Sequence, residues 1–504
     1  MQPRHLGLFL AAALVLGPPL RARENWIYAR TANFELLSTA SEKESRSLLV
    51  ELEQFRANFL ATFPMGRAYE PRATVVLFGD NQTFTPYKPI YKGKPKDVSG
   101  YFVGQPDEVT IALTTETPDA DLADPKEAIF HEYVHLLLYL HDIRLPLWLD
   151  EGLADFYSTL QVEGDSIVFG RPKTLYVKIL NYSALMPLKE LIAVTRKSAN
   201  YNEERRAGIF YAQSWMLTHY LICGTDRANT GKLIRFLSLQ KTSPNNMDAN
   251  FRAAFDKAPA ELEMELRTYL EGGWYHTRKA KVQIADLAAK ISFRPATDFE
   301  RDFALLNLRW RVRRSGSAAQ SALQLAEQQP SSPRPFELLA AIEMTKGDSA
   351  KAIQYWERAA GLKSDNAFVY EQLGWNAVQP LTREFSLDYR LPPQRSADLR
   401  FWLDHALELS PDWPEAQEAL ALVEAFAPGV RAPVVLRLQS AVGQMRNPSR
   451  TLLALAIIRW RLGDQPTSAK IVENLLASPQ ATPEVKAAAL TLRERLAATD
   501  AGPP

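Results

Sequence analysis

The chain has 504 residues, with 59 Lys or Arg against 58 Asp or Glu, 46% hydrophobic residues and a single cysteine. That length predicts two or three domains. The charge balance excludes nucleic acid as the main partner, one cysteine excludes a disulfide framework, and no apolar run beyond the N-terminus approaches a membrane span.

Arg4 and His5 precede an apolar stretch over 6–16, followed by Gly17-Pro18-Pro19 and a cleavage-like Leu20-Arg21-Ala22. Residues 1–23 therefore read as a signal peptide, with an uncleaved N-terminal anchor as the rival, and the protein is expected to be exported, periplasmic or secreted. Residues 24–125 read as an α+β segment. Short strands are expected at 26–29 and 34–37, and a helix capped by Ser41 with Glu44 three residues on should run to about residue 63. A buried strand follows at 74–78. Beyond a proline-rich loop, 101–103 and 109–113 resemble a hairpin.

From Pro125 the text turns helical, with helices expected over 125–140, 146–158 and 209–223, then 232–239 and 261–270. These complete a unit spanning 126–280. Cys223 lies in an apolar helical segment and reads as a small buried hydrophobe. From 297 to 500 the chain is helical throughout. Phe336, Leu339, Ala340, Gly347, Ala352, Trp356 and Ala359 match the spacing of a tetratricopeptide repeat, a helix–turn–helix unit of 34 residues. Tyr370, Leu373 and Gly374 open a second unit, split by proline-rich text over 379–394, and 303–330 and 450–478 look like degenerate copies. Such units stack into solenoids that bind a protein partner.

Residues 131–135 read His-Glu-Tyr-Val-His. On a helix His131 and His135 are i and i+4, so both imidazoles project from one face and can hold one metal ion, with Glu132 beside them to act on a metal-bound water. Ala128-Ile129-Phe130 and Leu136-Leu137-Leu138 make this helix apolar nearly all round, which predicts burial. Polar groups buried there without partners would cost several kcal/mol, and a Zn2+ ion resolves that cost. Glu151 follows after a loop as the expected third ligand, leaving an open fourth position. Asp155, at i+4 from Glu151, is placed to accept the outer N–H of a ligand histidine, most simply His131.

This text resembles that of the gluzincin metallopeptidases. His131-Glu132-x-x-His135 followed by Trp148-Leu149-Asp150-Glu151-Gly152-Leu153-Ala154 is similar to the active-site text of aminopeptidase N relatives. It is closer to the peptidase MA-like families of exported bacterial proteins, in which tetratricopeptide repeats often follow. The resemblance covers about residues 25–275 and implies a zincin-like domain, zinc held by His131, His135 and Glu151, and Glu132 as general base. In the aminopeptidase N relatives a tyrosine in Tyr-x-Lys-Gly-small text stabilises the oxyanion. The matching segment, Phe210 to Trp215, makes Tyr211 the candidate donor, with His219 as an alternative. The Gly-Ala-Met-Glu-Asn text that holds a substrate N-terminus in those aminopeptidases is absent, so the resemblance does not extend to aminopeptidase specificity. The strand at 109–113 could instead take an extended peptide by edge pairing.

Two readings follow for an α+β zincin-like metallopeptidase domain ahead of an all-α, tetratricopeptide-like helical solenoid. One is an exported zinc peptidase acting on a peptide or protein substrate. The other is a non-catalytic repeat scaffold with a vestigial or structural metal site.

Overall fold

The computed structural model describes residues 25–62, 69–116, 125–141, 143–163, 166–198, 204–243, 246–281, 286–313, 316–382, 386–445 and 447–500. The export segment expected over 1–23 lies outside them. Strands β1 (Ile27–Arg30), β2 (Phe34–Ser38), β3 (Arg72–Phe78), β4 (Gly100–Gly104) and β5 (Glu108–Thr114) build the main sheet. Helix α1 (Glu42–Thr62) crosses between β2 and β3, which pair in parallel, as do β3 and β5. Its start is closed reciprocally: the Glu44 amide donates to Ser41 Oγ at 3.3 Å and the Ser41 amide to Glu44 Oε2 at 3.0 Å.

The strand sequences are apolar on both faces because both faces are covered. Leu36, Val75, Leu77, Ile111 and Leu113 pack with Phe55 and Phe59 of α1 and with Ile129 and Phe130. Their alternating neighbours Leu37, Val76, Phe78 and Ala112 face the other way, onto Ala304 and Leu308.

Helices α2 (Pro125–Leu140) and α3 (Leu147–Ser158) follow the sheet. β4 lies at the sheet edge against α2: a Cβ built on Gly100 would come 3.3 Å from Ile129, and one on Gly104 3.3 Å from Leu136. This corrects one expectation. The strand containing residues 109–113 is β5, paired with β3 on one side and β4 on the other, so it has no free edge for a peptide.

A ribbon of β6 (Gln161–Glu163), β7 (Ser166–Phe169) and β8 (Arg278–Lys281) flanks α3. Helices α4 (Thr174–Tyr182), α5 (Leu188–Ala193), α6 (Glu204–Cys223), α7 (Ala228–Thr242), α8 (Met247–Phe255) and α9 (Pro259–Gly272) complete this part. Every residue of α3 except Asp150 is buried, and Gly152 is where it presses on α6. Strand β9 (Arg294–Pro295) then pairs with β1 at the far edge of the main sheet.

The remainder is an all-α solenoid. Helices α10 (Asp298–Arg313) and α11 (Ala318–Gln328) precede the hairpin α12 (Arg334–Lys346) and α13 (Ser349–Gly361). Gly347 ends α12 at φ +85°, a left-handed conformation open to glycine, and Asp348 Oδ1 then caps α13 by accepting from the Lys351 amide at 3.0 Å. Ala340, Ala352 and Ala359 are buried in the repeat core, as small residues at helix crossings should be. Helices α14 (Ala367–Val378) and α15 (Pro393–Leu409) form the split unit; Leu403 lies directly over Gly374. Further helices run to Asp500.

The solenoid is docked on the sheet. Arg311 of α10, with a side chain 2% exposed, donates to Asp107 at 2.6 and 3.1 Å and to Glu108 at 3.3 Å. Glu108 also accepts from Asn307 and Thr74. Arg72 pairs with Asp365 and Glu337, and Arg334 with Glu35. The Tyr69 ring stacks on Trp413 with centroids 3.9 Å apart.

A Cβ at position 152 would meet the Thr218 hydroxyl and lie 2.5 Å from the Ser214 carbonyl oxygen. Gly152→Ala must therefore push α3 off α6, at a cost of about 1–3 kcal/mol for overpacking. We expect a lowered unfolding midpoint by circular dichroism and weakened metal retention, because Glu151 moves with the helix.

Candidate metal centre

The 3.6-residue period puts His131 and His135 on one face of α2, turned towards α3. Their Nε2 atoms lie 3.2 Å apart, and each is 3.4 Å from Glu151 Oε2. An ion held tetrahedrally by bonds of about 2.0–2.1 Å separates its ligand atoms by about 3.3–3.4 Å. The three donor atoms already form a triangle of that size, and two imidazoles with one carboxylate are the donor set of a catalytic zinc site with one position left open. The residues fit a zinc ion.

Each histidine has its own outer carboxylate. His131 Nδ1 meets Asp155 Oδ1 at 3.2 Å, and His135 Nδ1 meets Asp150 Oδ1 at 2.8 Å. With an ionised carboxylate at Nδ1, that nitrogen carries a proton, and Nε2, which faces Glu151, is the atom that would donate a lone pair to a metal once deprotonated. Sequence reasoning singled out Asp155 and passed over Asp150, although an acid beside a ligand glutamate lies about 100° round the helix and can reach the other histidine. Asp155 is almost wholly buried and also accepts from Lys173 Nζ at 2.7 Å and the Tyr176 hydroxyl at 2.9 Å.

The expectation that α2 is enclosed all round needs correcting: Ala128, Glu132 and Tyr139 are exposed and the two histidines are only partly buried. The exposed Glu132 carboxylate makes no hydrogen bond or ion pair among the described residues. It follows His131 directly and is available to handle a proton.

Tyr211 lies on α6, half-buried against the core, its ring 5.6 Å from Phe210. It is within electrostatic reach of Tyr176. Burial drives the Tyr176 phenol far above its ordinary pKa, and the Asp155, Tyr211 and Glu151 groups add to the rise. Tyr176 is thus a second phenol beside the site, one that no motif indicates. His219 is elsewhere. It is fully buried, its Nε2–H donates to the Gly170 carbonyl at 2.7 Å, and its Nδ1 accepts from the Tyr269 hydroxyl at 2.8 Å. Burial lowers its pKa to about 4. Both ring nitrogens are engaged in the core, which removes it as an oxyanion donor.

Burial alone would lower the pKa of His131, but hydrogen bonds to Asp155 and Glu151 outweigh it and raise it to about 9. His135 follows the same balance, with Asp150 and Glu151 raising it to about 10. For Glu151, burial pushes up but the two histidines prevail and hold it down to about 2.

No protein-family profile matches the chain, and no curated protein matches it. Similar solved structures are tetratricopeptide-repeat (TPR) proteins. YrrB, a TPR protein with an unusual peptide-binding site, aligns at 13% identity over 40% of this chain and 91% of its own, with a TM-score of 0.28. A thermophilic TPR protein of Thermus thermophilus aligns at 18% identity over 40% and 97%, with a TM-score of 0.23. Yeast Tom70 aligns at 13% identity over 73% and 85%, with a TM-score of 0.23. Scores of this size carry no argument about activity, and the paired helices of the solenoid stand on the chain's own packing.

The raised histidines set a pH dependence. Their contribution to the metal-free fold is complete below the unfolded pKa of about 6.5 and is lost as pH rises through about 9 and 10. Zinc binds the deprotonated rings, so its added stabilisation grows over the same range. Calorimetry of chelator-treated and zinc-loaded protein between pH 6 and 10 should show the two unfolding temperatures diverging as pH rises. Curves that stay parallel would count against this account.

Proposed function

We propose that the chain is an exported zinc-dependent metallopeptidase whose repeats bind a protein partner or the substrate itself. The observation that carries the reading is the triangle of His131 Nε2, His135 Nε2 and Glu151 Oε2, with edges of 3.2–3.4 Å and an outer carboxylate behind each imidazole. Zinc, when bound, supplies a water acidified to a pKa of about 7 and a positive centre for the scissile carbonyl. Glu132 takes the water's proton as the carbonyl is attacked and returns it to the leaving amine. Tyr211 donates its hydroxyl to the developing oxyanion. Asp155 and Asp150 take up the Nδ1 side of each imidazole, turning Nε2 towards the metal position and raising its basicity as a ligand.

A second reading is favoured by the C-terminal half itself. A solenoid of paired helices is a binding surface, and none of the comparisons supports a hydrolase. On this reading the chain is an interaction scaffold, and the metal site holds two helices together. The described residues include no helix long and apolar enough to cross a membrane.

Peptide-library and casein cleavage by the zinc-loaded protein separates the two. Glu132→Gln should keep its zinc yet lose about 10²–10⁴-fold in kcat, the usual worth of a general base. Tyr211→Phe should lose about 10²-fold in kcat with little change in KM. Full activity in Glu132→Gln would end the mechanism. Stoichiometric zinc without cleavage of any peptide would leave the scaffold.

A further inference from the structure

Lys173 immediately precedes α4, far from either ligand helix in sequence, yet its ammonium reaches both of them. It donates to Asp155 Oδ1 at 2.7 Å and to Ser158 Oγ at 3.3 Å on α3, and lies 3.6 Å from Glu127 Oε2 on α2, one turn before His131. It also sits 5.0 Å over the Tyr176 ring, whose hydroxyl holds the other oxygen of Asp155 at 2.9 Å. Lys173 is itself largely buried, and Asp155 is 2% exposed, so water cannot stand in for these donors.

We propose that Lys173 and Tyr176 are positioning residues for the metal centre. Together they fix the plane of the Asp155 carboxylate, and through it the direction in which His131 presents Nε2. Three donors on two oxygens leave that carboxylate one orientation. His131 bonds to the oxygen that Lys173 also occupies, so the carboxylate cannot turn without breaking an ion pair. The arrangement at the other histidine is looser: the further partner of Asp150 is Arg196 at 3.4 Å, whose side chain is 71% exposed. The two imidazoles are therefore held unequally, His131 from a carboxylate fixed in the core and His135 from a partly buried carboxylate whose further partner is exposed. Lys173 also ties α2 to α3 through Glu127 and Asp155, which keeps the histidines at their distance from Glu151.

The proposal builds on the zinc site but not on hydrolysis, and its test reads metal alone. Zinc affinity of the full chain is measured by competition with a chromogenic chelator, and the cobalt(II)-substituted protein is followed by its visible d–d spectrum. Loss of an outer partner of a ligand histidine typically weakens metal binding about 10–100-fold. Lys173→Met should fall in that range and change the cobalt band, and Lys173→Arg should restore much of both. Tyr176→Phe, which removes only a hydroxyl, should weaken binding less and in the same direction, and it serves if Lys173→Met does not fold. Wild-type zinc affinity and an unchanged cobalt spectrum in the folded variants would overturn the positioning role. Weakened zinc binding in a chain that cleaves no peptide would uphold it while removing the peptidase reading.

Discussion

The structure turns on the contact between α2 and α3, where polar groups are pressed into an apolar seam and have to satisfy one another. Ile129, Phe130, Val134 and Leu137 of α2 and nearly all of α3 are buried, so Glu151 and Asp155 meet the partly buried His131 and His135 at the edge of an apolar core. An unpaired buried charge is expensive, whereas a closed set of partners is not. The set closes here because each imidazole faces Glu151 with one nitrogen and its own aspartate with the other. Gly152 gives α3 room to lie deep enough against α6 for Glu151 to arrive at that point.

The rest of the chain holds this seam in place from two sides. The main sheet carries α1 and α2 on one face and α10 of the solenoid on the other, so the repeats share a core with the strands. Arg311 and Asn307 grip Asp107 and Glu108, where β4 turns into β5, and the Asn366 side-chain amide donates to the Asp107 carbonyl at 3.2 Å. β4 is the strand that lies against α2. The solenoid therefore fixes the end of the strand that borders the metal helix, and the two halves of the molecule cannot move as independent bodies without breaking buried ion pairs.

Much of the site was legible because it is local. A four-residue spacing places two histidines on one face, and a second four-residue spacing places Asp155 one turn from Glu151, whatever the rest of the chain does. Asp150 was equally local but hidden beside a ligand, where attention to one helix face misses a side chain serving another. Lys173 and Tyr176 were out of reach for a different reason. They lie beyond the β6–β7 ribbon, and no periodicity links position 173 to 155. Strand text showed the same limit: 109–113 is apolar on both faces apart from Thr110 because β5 is covered on both sides, and that pattern says nothing about which strand ends the sheet. In the repeats, Ala340, Ala352 and Ala359 were readable because close helix crossings demand small residues, and Gly347 because a left-handed helix end favours glycine. The split indicated by the proline-rich text over 379–394 falls between α14 and α15.

The unequal support of the two histidines also sets which side of the site is closed. Asp155 closes the site on the core side under Lys173 and Tyr176, leaving no room there for a reacting group. On the His135 side Asp150 is only partly buried and its partner Arg196 is exposed, and Glu132 is exposed on the same helix as His135. Were a zinc ion held by His131, His135 and Glu151, it would keep one position for water or substrate. The exposed Glu132 carboxylate has no competing partner among the described residues, while Asp150, Glu151 and Asp155 are committed to the histidines. The division follows from burial: a buried carboxylate needs donors to remain ionised and cannot exchange protons freely, and only the exposed one keeps that freedom.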